Sequence, residues 1–338
     1  MKLTAVYLEP QNGYKTPLRS DTLWGMLCWA IRSVHGEPTL ERFIADYNEG
    51  KGAFSLSSCF PYVELDGVKT HYFPLPQIYN DNPLQAESFD DCVREMTIRK
   101  DIKKNLKYIK QELFEQILRG EKLPDDTTLI KLEKPPASAS LPVTRNTIDR
   151  VKGGTLERDG RGQLFHVDEY HLTNKTGLFF LVKGDIAPLL RGALNYLSHT
   201  GFGGDRTVGK GWFKIHHDEN FTLNEPAGAN ACTTLSLYHP NDEKDDEEVE
   251  YFEQEKFKDI LNYTLELRGG KLGFFNYKQV RKDAILMFKE GSVFPLKNNT
   301  TQYGKNPIVL SPDPVHNPGL HHDVSHYGIG FMVKMKVE

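Results

Sequence analysis

Five glycines fall within the stretch Gly201-Phe-Gly-Gly-Asp-Arg-Thr-Val-Gly-Lys-Gly-Trp212, and no other segment constrains the fold as tightly. Glycine is used where φ must be positive or where another backbone must approach. Upstream, Leu189, Leu190, Ala193, Leu194 and Leu197 repeat with helical period, and Asp185 is placed to cap a helix running to about His199. Downstream, Lys210 to His216 reads as a strand. The glycines therefore turn the chain out of a helix and into a strand. Successive peptide N–H groups in such a loop can form a concave anion site. Arg206 and Lys210 add positive charge to it. One reading is a loop that contacts a nucleic-acid or nucleotide phosphate; the other is a tight structural turn.

Two enzymatic readings of this loop fail on its chemistry. Gly204 to Lys210 has the spacing of a Walker A motif, but Gly211 stands where a serine or threonine would hold magnesium. A P-loop also leaves a strand and opens a helix, the reverse of the order here. Gly203-Gly204-Asp205 has the sequence of a nucleotide-cyclase turn, yet Arg206 takes the place of a second acid. The first strand, Leu3 to Leu8, supplies no aspartate for a two-metal site.

The chain has 338 residues, enough for two domains with sizeable cores. Its 42 basic and 46 acidic residues give a formal net charge of −4, unlike a free-standing nucleic-acid binder. The segment from Asp242 to Glu255 holds nine acids and one lysine, so the remainder is modestly basic. That segment reads as an acidic helix, either solvated or a protein dock. Cys28, Cys59, Cys92 and Cys232 show neither metal-ligand nor disulfide-framework spacing, which fits a reduced cytoplasmic protein. No segment has the roughly 20 apolar residues that span a bilayer, and the N-terminus lacks a signal-peptide pattern.

The order of elements predicts an α+β protein. Leu3 to Leu8 reads as a strand, and Ser20 or Asp21 caps a helix that Gly36 and Pro38 stop. Phe54 to Tyr62 is a strand, residues 88 to 119 form a helical stretch, and prolines 124 to 142 mark a loop. Gln163 to Leu172 and Gly177 to Lys183 read as a hairpin turned at Asn174. Strand, helix, strand, strand, helix, strand is the ferredoxin-like βαββαβ order, antiparallel with helices on one face. The pattern restarts after Pro226. This gives two ferredoxin-like (RRM-like) domains, 1–226 and 227–338, with large insertions in the first.

A second basic segment, Thr144 to Gly154, carries Arg145, Arg150 and Lys152 on a predicted loop. Thr144, Asn146 and Thr147 can donate to phosphates or base edges, and Ile148 can lie against a base or ribose. The alternative is an exposed polar turn. Histidines at 35, 71, 166, 171 and 199 are formally available as general acids, and nothing in the sequence selects one. The clusters His216-His217 and His321 to His326 lack metal-ligand spacing, and no metal or cofactor is implied.

Arg19-Ser-Asp-Thr-Leu-Trp-Gly25, Arg145-Asn-Thr-Ile-Asp-Arg150, Gly201 to Trp212 and Tyr327-Gly-Ile-Gly-Phe331 occur in an order that resembles the RAMP superfamily of CRISPR proteins. The likeness is greatest to the subunit family that stands fourth in the type III-A (Csm) interference complex. It covers nearly the whole chain. It implies an RRM-like, non-catalytic subunit that holds the repeat-derived 5′ tag of the guide RNA (crRNA). It also implies docking onto the large cyclase-bearing subunit and the backbone RAMP subunit in antiviral defence. The residues it points to are Arg19, Ser20, Arg145, Asn146, Thr147, Ile148, Asp149 and Arg150, with Gly201, Phe202, Gly203, Gly204, Arg206, Thr207, Gly209, Lys210 and Gly211. Arginines and Lys210 would neutralise phosphates, glycine-loop N–H groups would add hydrogen bonds, and Asn146 or Phe202 would meet an unstacked base. Asp205 departs from the family's basic loop and would need to pair with Arg206. The rival within the superfamily is an endoribonuclease that cuts precursor RNA.

Overall fold

The computed structural model describes residues 2–77, 88, 90–93, 97, 106–121, 138–149, 151–173, 175–184, 188–240, 261–272, 280–297, 302–313, 315–316, 320 and 322–337. The expected acidic helix at 242–255 lies outside the described residues, as do Arg150, Asn174 and Asp185.

The chain opens with strand β1 (Lys2–Pro10), helices α1 (Ser20–His35) and α2 (Glu37–Asn48), and strands β2 (Phe54–Leu56), β3 (Phe60–Leu65) and β4 (Val68–Pro74). Strand β5 (Tyr108–Lys110) runs directly into helix α3 (Gln111–Leu118), and β6 (Ser138–Asn146) follows. Four two-residue strands come next: β7 (Ile148–Asp149), β8 (Gly154–Thr155), β9 (Glu157–Arg158) and β10 (Arg161–Gly162). Then come β11 (Leu164–Leu172), β12 (Thr176–Gly184), helix α4 (Pro188–Thr200) and β13 (Phe213–Thr222).

The main sheet has the order β13-β1-β12-β3-β4-β5, antiparallel throughout, with β2 pairing the far end of β12. β1 thus lies between the closing strand and β12, as the βαββαβ connection requires. Alternation along β1 sends Val6 and Leu8 to one face and Leu3, Ala5 and Tyr7 to the other. Leu23, Trp24, Leu27, Ala30 and Ile31 of α1 and Leu190, Ala193, Leu194 and Leu197 of α4 cover the first face. Each of the leucines and Ile31, buried in this way, stabilises the fold by roughly 1.5–3 kcal/mol.

The second face is covered too. Phe114 of α3 stacks on Phe73 with ring centroids 4.8 Å apart, over Phe179 of β12. Leu235, Phe331, Val333 and Met335, from beyond the expected boundary at 226, complete that layer. Residues 227 onward supply the sheet β17-β14-β20, from Val293–Pro295, Ala231–Thr234 and Met332–Met335. They also supply the hairpin of β15 (Leu265–Lys271) with β16 (Arg281–Phe288), and the short pair β18 (Ile308–Leu310) and β19 (Val324–Ser325). One apolar core therefore runs from the first sheet into the C-terminal strands.

Gly36 ends α1 as expected, and two other local expectations are corrected. Gly36 turns at φ 84° and a new helix, α2, opens at once with Pro38 in its first turn. Proline's missing N–H costs nothing at that position. The stretch 88–119 is not one helix, because Tyr108–Lys110 pairs with β4. The two strands read as a hairpin do not pair with each other. β12 is apolar along nearly its whole length and enters the centre of the sheet, while β11 pairs with β6 in a separate two-stranded ribbon. The proline-rich and basic loops are thus partly strand. Pro142 is tolerated there because a two-stranded ribbon has two edges.

On the second face the Tyr7 hydroxyl meets His71 Nε2 at 2.9 Å. Burial, reinforced by Lys69, pushes the His71 imidazole down to about 4, against opposing effects of Asp218 and Gln111. An unfolded histidine titrates near pH 6.5, so between about 6.5 and 4 the unfolded chain takes up a proton that the native one refuses. Stability is expected to fall as pH drops through that window. Denaturant unfolding of His71→Gln checks it: the substitution should flatten the slope there, and an unchanged slope would contradict the assignment.

Candidate nucleic-acid interface

Three segments far apart in sequence meet at one end of β1: residues 11–16, the base of the β6–β11 ribbon, and the glycine loop. Tyr14 and Tyr170 exchange backbone hydrogen bonds of 3.0 and 2.7 Å, and their rings stack at 5.5 Å. Gln11 N–H donates to Trp212 O at 2.9 Å, and Gly211 N–H donates to Gly13 O at 3.0 Å. The ribbon and the loop are therefore both tied to the segment leaving β1.

The loop's own amides are largely consumed in this closure. Phe202 N–H donates to Gly211 O at 2.7 Å, Gly203 N–H to Met26 Sδ at 2.9 Å, and Gly204 N–H to Thr16 Oγ1 at 3.0 Å. Those of Val208, Gly209 and Lys210 donate within the loop at 3.0–3.2 Å. The expected contribution of backbone N–H groups to phosphate binding is therefore corrected: most have internal partners. Gly211, at φ 75°, cannot be replaced without a collision between any Cβ and the Phe202 carbonyl. The structural-turn reading holds for the loop's backbone, and its side chains carry the charge.

Those side chains converge on two acids. Glu169, on β11, is 2 % exposed. Lys210 Nζ donates to its Oε1 at 2.6 Å, His171 Nε2 lies 3.1 Å from the same atom, and Arg145 Nη2 lies 3.9 Å from Oε2. Asp205, in the left-handed conformation at φ 61°, accepts from Arg145 Nη1 at 2.7 Å and from Lys15 Nζ at 3.4 Å. Arg145 and Lys15, which the sequence reading did not pair with it, thus hold Asp205. The cations remain partly open to solvent, Lys15 at 42 %, Lys210 at 31 % and Arg145 at 23 %. A guanidinium has five donors and an ammonium three, so each keeps capacity for a further oxygen.

The remaining basic segment is ordered by its own contacts. Asn146 Nδ2 donates to Thr155 Oγ1 at 2.8 Å, and Thr147 joins the turn through backbone bonds to Gln163 and Leu156. Asp149 Oδ1 accepts from the amides of Val151 and Lys152 at 2.9 and 3.2 Å. Ile148 stands exposed at the ribbon's tip. Arg206 and Thr207 lie on a single 3₁₀ turn, beside exposed Val208 and Gly209.

Three predicted residues belong elsewhere. Phe202 is fully buried and packs edge-on to Phe213 at 5.6 Å, so it serves the core instead of a base. Ser20 is fully buried: its N–H donates to Ser58 Oγ and its Oγ accepts from Leu237 N–H, both at 3.0 Å. Neither Ser20 nor Asp21 is the helix cap; Arg19 holds that position without a capping side chain. Arg19 itself is locked into a part-buried network, with Nε donating to Glu290 at 2.9 Å and Nη1 to Glu266. Arg268 holds Asp21 through two bonds of 2.9 and 3.0 Å. Burial opposes the charge on Asp21, but Arg268 outweighs it and keeps the carboxyl below its usual range. Burial, with Lys282 nearby, keeps adjacent His326 below the ordinary histidine range.

Sequence reading missed Lys15, Glu169 and the tyrosine stack. Gly13 was a usable sign, since a Cβ there would strike Glu169 and His171. Among the described residues no group of acids, histidines and cysteines could hold a metal ion, and no helix is long and apolar enough to cross a membrane.

No protein-family model matches the sequence. The chain is 28% identical over 244 residues to the CRISPR system protein Csm4 of Thermococcus onnurineus, covering 70% of this chain and 74% of that one. It is 29% identical over 160 residues to Csm4 of Methanocaldococcus jannaschii, covering 43% and 39%. Its fold matches a chain of a Csm1–Csm4 cassette crystallised with pppApA at a TM-score of 0.61 and 21% identity, over 100% and 99% of the two chains. It also matches a chain of the Csm3–Csm4 subcomplex of the type III-A CRISPR-Cas interference complex at 0.57 and 15%, over the whole of both. The resemblance carried by the four motifs is thereby shown.

Arg19 was expected at a phosphate and is found on two carboxylates. Breaking a buried ion pair leaves an unpaired charge, typically at a cost of about 3–5 kcal/mol. Arg19→Ala should therefore lose that order of stability in denaturant unfolding. Its folded fraction should show wild-type salt dependence in RNA binding; a shallower salt slope with unchanged stability would return Arg19 to the RNA.

Proposed function

We propose, from the premise that the chain is a relative of Csm4, that it is a non-catalytic RNA-binding subunit of a type III-A CRISPR effector complex. In this reading it holds the 5′ repeat-derived tag of the guide RNA. It also bridges the large, cyclase-bearing subunit and the backbone RAMP subunits.

The observation that carries the reading is the cation cluster of Lys15, Arg145 and Lys210 at the meeting of ribbon and glycine loop. Glu169 and Asp205 aim these side chains without enclosing them. An arriving phosphate would take the remaining N–H donors of Arg145 and Lys210, with Arg206 at the same loop. Phosphate contacts of this kind fix position and register and read no sequence. Target sequence in RNA-guided systems is read by base pairing, so a subunit that holds the guide needs only this. The exposed tip of the ribbon, with Asn146, Thr147 and Ile148, would lie along the same strand of RNA.

One observation favours a second reading, the endoribonuclease. His171 is part-exposed, is oriented by buried Glu169 at 3.1 Å, and stands beside Lys210, which also contacts Glu169. A metal-free ribonuclease needs such an oriented imidazole next to cations.

Arg145→Ala with Lys210→Ala is expected to weaken binding of a tag-bearing RNA and to reduce the magnitude of the log–log salt slope by about one per phosphate contact removed. Unchanged affinity and slope would sink the holding role. The same RNA, extended as a precursor, should remain intact with wild-type protein. Cleavage that is lost in His171→Ala would instead establish the nuclease.

A further inference from the structure

The helix before the glycine loop and the strand after it form a second feature. Helix α4 and the start of β13 enclose a groove of about 400 Å³. Small-ligand sites run from roughly 300 to 1,000 Å³. Its walls carry Arg191, Asn195, His199, Trp212, Lys214 and His217, and none of its lining residues is an acid. β13 pairs only with β1 among the described strands, so the groove lies along an edge of the sheet.

Trp212 is the unusual member. The residue is 55 % exposed although its backbone is clamped on both sides. Its N–H donates to Asn12 Oδ1 at 3.0 Å, and its carbonyl accepts from Gln11 N–H at 2.9 Å. A large aromatic surface is thus presented to solvent from a fixed backbone. Such a ring is a stacking platform for a base, and base–aromatic stacking is tolerant of sequence. The chemistry around it suits the rest of a nucleotide. Arg191 spends one donor on Glu219 and keeps others, and Lys214 adds a second cation. Burial, with Arg191 nearby, lowers the pKa of His217 and favours a neutral imidazole that can both donate and accept. Trp212 follows Lys210 by two residues, at most about 7 Å of extended chain.

We propose that the groove between α4 and β13 binds an unstacked nucleotide of single-stranded RNA, its base against Trp212 and its phosphate on Arg191 and Lys214. This deepens the RNA-holding reading and rests on it: the strand that crosses the cations at Arg145 and Lys210 continues into the groove. The occupant is RNA in place of a protein because the walls combine two cations with an exposed ring and none of the lining residues is an acid.

The test uses the full chain and fluorescently labelled single-stranded RNA of about ten nucleotides, followed by anisotropy over a salt series. Trp212→Ala should weaken binding about tenfold, while Trp212→Phe keeps most of the affinity. Lys214→Ala should reduce the magnitude of the salt slope by a little under one. An RNA of the same length made of abasic units should bind wild type and Trp212→Ala alike. If wild type binds RNA, Arg145→Ala with Lys210→Ala loses it, and the Trp212 and Lys214 variants bind as wild type does, the groove is not an RNA site although the holding role stands. If wild type binds no RNA, the holding role falls and the groove with it. If Trp212→Ala keeps its RNA and loses association with another protein, the ring is a protein contact and the proposal is overturned.

Discussion

Glu169 is the point on which the candidate site depends. It is a carboxylate almost completely removed from water, and such a charge persists only when cations and donors compensate it. Lys210 comes from the glycine loop, Arg145 from β6 and His171 from β11 itself. One buried acid therefore draws together the loop and both strands of the ribbon. Gly13 completes the arrangement from a third direction, since only a residue without a Cβ leaves room for the carboxylate. Without Glu169, Lys210 would lose its ion-pair partner and Arg145 would keep Asp205 alone. With it, they are fixed in place and still partly open.

The centre of the first sheet was legible because its signals are local, whereas β4 and β5 were not read as strands. The apolar runs of β1 and β12 and the stripes of α1 and α4 each follow from one element's own residues. Strand partnership was not legible in the same way. β11 and β12 are neighbours in sequence and were read as a hairpin, yet β12 is apolar on both faces and has to enter the centre of the sheet. β11, which alternates Val167 and Glu169 with exposed residues, is left to pair with β6. A hydrophobic run on both faces is the signal that separates the two strands, and it outweighs proximity in the chain.

The site was half legible. Glycine and arginine marked the loop and the ribbon, because those residue types are costly or conspicuous where they stand. Lys15 and Glu169 left no such mark, since a lysine in a loop and a glutamate in an alternating strand are ordinary. Phe202 misled for a related reason. An aromatic between glycines looks exposed on paper, but the tight turn that the glycines permit folds it back onto Phe213. The next aromatic, Trp212, is the one left outside.

Arg19 and Arg145 show why residue type alone does not assign a role. Both are arginines held by two carboxylates, and both sit in segments that carry the family resemblance. The difference lies in which partner is buried and where the pair faces. Arg19 bridges the start of α1 to Glu266 and Glu290 of the C-terminal strands and their turn, next to the Asp21–Arg268 pair. Both ends of that contact belong to the fold, so its charge is spent on joining the two parts of the chain. Arg145 has a buried acid behind it and solvent in front. A guanidinium so placed keeps its orientation when the solvent is exchanged for a phosphate, and it gains a charge-assisted bond that water does not match. Arg19 thus acts as a structural clamp, and in the proposed RNA-holding role Arg145 is the arginine placed to meet the phosphate.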